Sequence, residues 1–323
     1  MQQKLLTDLL NEYAAQRDRN HAEEQRRMDQ ALRSCPNLAV LLQQRQNMIF
    51  GGVRAVLQNS ASPDDLPIRM DKLNRMIAAE LTAAGLPENQ LEPVYRCPIC
   101  KDTGYTGEPI REMCSCLRAA YDARLYQQVG LRDPENQSFE HFDPSLFPTA
   151  PMEALHGASQ RQMMTVFRKK TEEYANNYPD VPARDLLLTG ASGLGKTFLM
   201  HCIAKRLLDR GQSVMLISAY RFLEFARKAY LGHGDEEMQA LLRADVLMMD
   251  DLGSEPLMEN ITINSLFNLL NERRADCLGT IFSTNLSLKE LRERYSERIT
   301  SRLLDAQQCT VFHFVGDDVR RLR

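Results

Sequence analysis

No stretch of the 323-residue chain approaches the roughly 18 uninterrupted apolar residues that a membrane-spanning helix needs, so no membrane contact is expected. The opening, MQQKLLTDLLNEYAAQRDRN, lacks the continuous apolar core of a secretory signal. An excess of positive charge is missing too. Lys and Arg number 40 against 43 Asp and Glu, a net charge of −3, which argues against a wholly basic nucleic-acid coat but leaves room for a local basic track. Without a secretory signal, the eight cysteines are expected in a reducing, cytoplasmic setting, where clustered thiols bind metal more often than they form disulfides. What is present is ordinary: 43% hydrophobic and 26% charged residues describe a soluble globular protein. The length allows about two domains, since single cores rarely grow beyond ~250–300 residues.

The informative stretch is GASGLGKT, residues 190–197, directly after the apolar run DLLLT. It fits G-x-x-x-x-G-K-[ST]. Gly190, Gly193 and Gly195 let the backbone curl so that successive N–H groups face a phosphate chain. A helix starting near Lys196 adds its positive dipole end. Lys196 would reach the β- and γ-phosphates, and the Thr197 hydroxyl would ligate Mg²⁺. A chance glycine turn would lack the flanking pattern seen here. Leu186, Leu187 and Leu188 read as a buried strand, and Phe198, Leu199, Ile203, Ala204, Leu207 and Leu208 as a helix. The nucleotide-binding segment is therefore Gly190, Ala191, Ser192, Gly193, Leu194, Gly195, Lys196, Thr197 and Phe198.

From residue 185 onward, strand and helix patterns alternate, which means an α/β fold with a parallel sheet. Strands are expected at 185–190, 214–219, 246–251, 280–285 and 310–316, a five-stranded P-loop ATPase core. VLMMDDLG closes its strand with Asp250 and Asp251. The first would hold Mg²⁺ and the second would orient or deprotonate the attacking water. Two acids can be surface punctuation, but downstream of a phosphate loop the functional reading is favoured. Asp251 is one methylene shorter than the commoner Glu, so slow hydrolysis is expected. TIFSTN puts Asn285 at a strand tip, where its amide could bond the water or the γ-phosphate; Ser283 and Thr284 are weaker candidates. Arg298 and Arg302 lie four apart on the next helix, within reach of a neighbouring subunit's phosphate. A surface pair between Arg302 and Asp305 is the plainer alternative for that arginine. Seven residues, 317–323, follow the fifth strand, too few for a C-terminal helical lid.

Upstream, residues 1–94 read as helices. One stripe runs Leu5, Leu6, Leu9, Leu10 and Tyr13, and the polar stretch QRDRNHAEEQRR carries the helix outward. A second stripe follows Pro36: Leu38, Leu41, Leu42, Met48, Ile49, Val53, Val56 and Leu57. The loop NSASPDD separates it from a third, Ile68 through Leu81, which stops at Gly85 and Pro87. A self-packed bundle and a docking module for a partner protein fit equally, although a chiefly polar helix needs another surface to justify it. Residues 95–118 hold Cys97, Cys100, Cys114 and Cys116 as C-x2-C-x13-C-x-C. The first pair forms a tight knuckle suited to tetrahedral Zn²⁺, and Asp102-Thr103-Gly104 closes it. The single residue between Cys114 and Cys116 crowds the sulfurs, so Cys116 is either a ligand or a bystander. Four protein ligands would leave no open position, making the zinc structural. Residues 119–160 read as a linker, and 161–323 as the ATPase domain.

The combination GASGLGKT, VLMMDDLG, TIFSTNLS and YSERITSRL, with CPICKDTGY and SFEHFD upstream, resembles the AAA+ ATPases of the DnaC/DnaI type, the bacterial helicase loaders. IstB, a transposition helper, belongs to the same clade. The resemblance implies that Lys196 and Thr197 contact phosphate and Mg²⁺, that Asp250 and Asp251 form the Walker B pair, and that Asn285 is sensor 1. It also implies that Arg302 is an arginine finger given to the neighbouring subunit of a homo-oligomer, and Arg320, in GDDVRRLR, the sensor 2 arginine. The cofactors would be ATP, Mg²⁺ and Zn²⁺. The N-terminal region would grip the replicative hexameric DNA helicase. Single-stranded DNA would lie near Tyr220, Arg221, Phe222, Phe225, Arg227, Lys228 and Tyr230, where aromatics beside basic residues suit stacking and phosphate neutralisation, although their helical spacing equally suits a core. The implied function is ATP-dependent loading of that helicase onto single-stranded DNA. An IstB-like helper of transposition and a non-hydrolysing nucleotide-sensing adaptor are the alternatives.

Overall fold

Leucines four apart open the first helix, α1 (Gln2–Ser34), and bury Leu5 and Leu9. Its stripe returns to apolar only at Ala31, which joins Cys35 and residues of α2 (Leu38–Leu57) and α3 (Leu66–Ala83) in one cluster. Leu73, Ile77 and Leu81, again four apart, supply the α3 side. The predicted stop of α3 is a Schellman turn: Leu86 N–H bonds Leu81 O at 2.9 Å, and Gly85 takes the left-handed φ of 71° that its missing Cβ permits. Ile49 and Ile68, expected within the stripes, are instead exposed at the helix surfaces.

The computed structural model describes residues 2–57, 66–131, 133–233, 235–258 and 261–321. The NSASPDD loop lies outside them, as do the side chains of Val53, Val56 and Leu57. Two compact units are present, Met1–Ala123 and Arg124–Arg323. The first ends in a small antiparallel hairpin, β1 (Tyr105–Thr106) with β2 (Glu112–Met113), and the start of α4 (Ser115–Val129).

In the second unit, α5 (Gln160–Asn177) begins with a capping box between Ser159 and Gln162. The chain then alternates: β3 (Asp185–Thr189), α6 (Lys196–Asp209), β4 (Val214–Ser218), α7 (Ala219–Tyr230), α8 (Asp235–Arg243), β5 (Val246–Leu252), α9 (Thr262–Ala275), β6 (Gly279–Thr284), α10 (Leu288–Arg294), α11 (Glu297–Leu303) and β7 (Cys309–His313). Among the described residues the sheet has five parallel strands in the order β4-β5-β6-β3-β7. The central strands β3 and β6 are buried along their whole length, as apolar runs covered by helices on both faces should be. Each strand matches its expected range to within a few residues. β5 runs one residue further, through a register break between Met249 and Leu252.

The stretch expected as a linker differs. Phe139 and Phe147 are buried, Arg161 donates to Phe147 O at 3.0 Å, and Arg206 pairs with Glu140. Its aromatics have a surface to bury, so the backbone folds into short 3-10 turns on α5 and α6.

One core residue is a cation. Arg273 on α9 is fully buried and donates to Thr280 Oγ1 and to the carbonyls of Leu241, Leu242, Ala244 and Gly279. It thereby caps the end of α8 and ties it to β6. Arg273→Met keeps an apolar stem but removes every donor. Urea unfolding should show a loss of about 3 kcal/mol, because several buried carbonyls go unsatisfied together; an unchanged midpoint would contradict this role.

Candidate nucleotide site

The loop between β3 and α6 takes the shape its glycines predict. Gly190, Gly193 and Gly195 have φ of 143°, 81° and 92°. Space matters as much as dihedral: a Cβ on Gly190 would strike the carbonyl of Phe314, and one on Gly193 the carboxylate of Asp318. Lys196 starts α6 only 5% exposed, and its ammonium donates to Gly190 O (2.6 Å), Ala191 O (2.7 Å) and Asn285 Oδ1 (2.8 Å). Burial lowers its pKa, opposed by the charges of Asp251 and Asp250.

The acids stand beside it. Thr197 Oγ1 donates to Asp250 at 3.1 Å, so the two expected Mg²⁺ ligands are neighbours. Asp251 has a left-handed φ of 56°, rare for a residue with a Cβ, and accepts from Asn285 Nδ2 at 3.1 Å. Asn285 therefore joins Lys196 to Asp251 through one amide. Partial withdrawal from water raises the Asp251 pKa and Asp250 raises it further, while Lys196 and Asn285 pull it down.

Two weaker candidates have other tasks. Ser283 is fully buried; its hydroxyl donates to Asp250 Oδ1 and accepts the Asp251 N–H at 2.9 Å, which aligns both acids from below. Thr284 donates to Leu252 O at 2.6 Å and accepts Leu286 N–H, closing the end of β6. Arg320 reaches the loop, donating to Ser192 Oγ at 3.0 Å while held by Asp318 at 2.7 Å. The Arg320 hydrogen bonds hold the Asp318 carboxyl down at about 2. Sequence reasoning missed Asp318, whose only signal was its place two residues before Arg320.

Arg302 stands apart from this group, on α11 against α9. Its Nε donates to Asn271 Oδ1 and its Nη1 to Arg298 O, both at 2.6 Å. The pairing with Asp305 does not form; that carboxylate lies 3.4 Å from Arg274 instead. Arg302 and Arg298 both lie over the Phe267 ring, 4.4 and 4.7 Å from its centroid.

The expected DNA-contacting cluster splits. Phe222 and Phe225 belong to the core under β4 and β5, whereas Tyr220 and Tyr230 are exposed, as are Arg221, Arg227 and Lys228. The strong amphipathicity of α7 decides which aromatic goes where.

In the first unit the sulfurs of Cys97, Cys100, Cys114 and Cys116 all lie within 4.8 Å of one another. Ligands ~2.3 Å from one tetrahedral ion are about 3.8 Å apart, so this donor set fits Zn²⁺, with Cys116 grouped beside the other three. The Cys100 N–H does most to draw the Cys97 thiol down to about 7, favouring the thiolate that a metal needs.

Strand order, phosphate loop and paired acids define a P-loop ATP-binding domain of the AAA+ type. Residues 163–323 match the family described as IstB-like ATP binding protein, and this part of the chain is an IstB-like ATP-binding domain. The chain is 27% identical over 143 residues to the replicative helicase loader DnaI of Bacillus subtilis (strain 168), an alignment covering 43% of this chain and 46% of that protein. It is 24% identical over 192 residues to the replicative helicase loader DnaC of Escherichia coli (strain K12), covering 58% and 71%. An insertion sequence IS1162 putative ATP-binding protein of Pseudomonas fluorescens is 33% identical over 106 residues, covering 32% and 44%. The match thus spans about half of DnaI. No described helix is long and apolar enough to cross a membrane.

Two outcomes follow from the geometry. Lys196→Ala should abolish ATP and ADP binding in calorimetry, since no other described side chain replaces an ammonium at the loop. Asp251→Asn should raise Tm at neutral pH. An acid with a raised folded pKa loses its proton first in the unfolded chain, so its contribution turns unfavourable as pH climbs past about 3.9 and stays so above the folded value. The Tm gap should therefore close as the solution is acidified below that range; a gap independent of pH would show that charge is not its cause.

Proposed function

We propose that this protein loads a hexameric replicative helicase onto single-stranded DNA at the expense of ATP. The observation that carries the reading is the Lys196–Asn285–Asp251 chain, which links the phosphate loop to the acid that would orient the attacking water. The names of the DnaI and DnaC relatives point to the client.

The backbone N–H groups of residues 190–197 would take the phosphates, with the α6 dipole behind them. Lys196 would turn from its loop carbonyls to the β- and γ-oxygens. Thr197 and Asp250 would hold Mg²⁺, which would neutralise charge on the departing phosphate. Asn285 fixes the Asp251 carboxylate so that it can orient a water, and Arg320 sits at Ser192 on the loop. Arg302 would serve the phosphate of an adjacent copy. The four cysteines would hold Zn²⁺ as a structural ion, and the N-terminal helices would dock the helicase. Tyr220, Arg221, Arg227, Lys228 and Tyr230 are the surface left for DNA.

The IS1162 relative is by name an ATP-binding protein of an insertion sequence, which favours a second reading in which the client would be a transposase. Affinity capture with the full chain distinguishes them: recovery of a transposase in place of the helicase would reverse the assignment. Arg302→Ala should retain nucleotide binding, while hydrolysis with helicase and single-stranded DNA falls by about a thousandfold, to background. Normal turnover by that variant would remove the trans-acting finger. Absence of turnover in the unaltered protein under the same conditions would favour a nucleotide-sensing adaptor.

A further inference from the structure

The polar middle of α1 has a partner within its own unit. Between the buried Leu9 and Ala31, the inward stripe continues as Tyr13, Arg17 and Asn20. All three meet the cysteine knuckle. Asn20 Nδ2 donates to Asp102 Oδ2 at 2.7 Å, and Arg17 Nη1 to Asp102 O at 3.1 Å. Asp102 is 2% exposed and holds the N–H groups of Arg96 (2.8 Å) and Cys97 (2.7 Å), so it anchors the first thiol pair to the helix. Tyr13 stands beside Gly104 of the same knuckle, with its hydroxyl next to Cys116. Packing here is close: a Cβ on Gly104 would lie 3.5 Å from the Tyr13 ring and 2.8 Å from Leu117.

We propose that Tyr13 is an outer-sphere partner of the four-cysteine site, and that metal held there orders the first half of α1 through Tyr13 and Asp102. This rests on the cysteines binding Zn²⁺. A phenol donating to a ligating thiolate spreads its charge and fixes its direction, as partners behind a ligand do at other metal sites. With the metal gone, four thiols no longer hold Asp102 and Cys116 in place. The Asn20 and Arg17 hydrogen bonds then lose the fixed position of their shared partner, Asp102. Metal occupancy thereby controls the helix that, on the loader reading, meets the helicase.

Cobalt titration of the full chain separates this proposal from its premise. If the unaltered protein develops no sulfur-to-cobalt charge-transfer absorption, the metal site itself is wrong. Given that band, Tyr13→Phe should keep a tetrathiolate spectrum but bind zinc about tenfold more weakly against a chromophoric chelator, whereas Tyr230→Phe should not. In unaltered protein stripped by the chelator, amide exchange over residues 9–24 should rise several-fold while α5 is unaffected. Equal zinc affinity in the Tyr13→Phe protein, or exchange in α1 indifferent to metal, would overturn the coupling. Because the substitution removes one hydroxyl only, a changed far-UV spectrum with metal present would also count against it.

Discussion

The cluster at the phosphate loop depends on β6 lying between β3 and β5. Parallel strands all end at the same edge of a sheet, so this order sets the phosphate loop, Asn285 and the paired aspartates side by side. Register does the rest. Leu188 pairs with Ser283 and Thr189 with Thr284, while Leu252 of β5 also meets Thr284. Ser283 therefore points at Asp250 and the next exposed amide is Asn285. A slip of one residue would send every side chain on β6 to the opposite face and dismantle the Lys196–Asn285–Asp251 chain.

This arrangement works against stability. A lysine 5% exposed is held by neutral oxygens, two carboxylates adjoin, and Asp251 occupies a left-handed backbone position. A backbone conformation of that kind costs on the order of 1–3 kcal/mol in a non-glycine residue. It survives because Ser283 fixes the Asp251 N–H and the strand continues to Leu252 beyond it. Local preference and global fold disagree at Asp251 and agree along β3, which is the pattern expected where chemistry rather than packing chooses the residue.

Much of this is legible in the sequence alone. The loop, the paired acids and all five strands are written in consecutive residues, and strands of five to seven residues built on apolar runs leave little ambiguity once a phosphate loop precedes a helix. Features that arise from register or packing were not legible. The placement of Ser283 beneath Asp250 needs the β5–β6 pairing, and Asp318 against Gly193 needs the return of the chain after β7. The three phenylalanines at 139, 142 and 147 were a signal that residues 119–160 would not be free chain. Weighing them against the proline and serine around them would have recovered it. On α7 the aromatic-basic mixture hid a simple division, resolved by which side of the helix meets β4.

Arg302 shows why isolated spacing rules fall short for arginines. A sequence rule pairs it with Asp305, three residues on, yet Asp305 is engaged by Arg274, which also bonds Asp185 at 3.2 Å. Relieved of a carboxylate at that position, Arg302 rests on Phe267 beside Arg298, and Asn271 and the Arg298 carbonyl occupy two of its five N–H donors. A face of an aromatic ring supports a guanidinium without neutralising it. Asn271 fixes direction in the same uncharged way. An arginine that must act on a neighbour's phosphate needs those two properties together: a charge that is not already paired, and a side chain whose rotamers are restricted before the neighbour arrives. A salt bridge with Asp305 would have given order at the cost of the charge, and a bare surface position would have kept the charge without the order. Phe267 and Asn271, both on α9, supply order while leaving the charge intact.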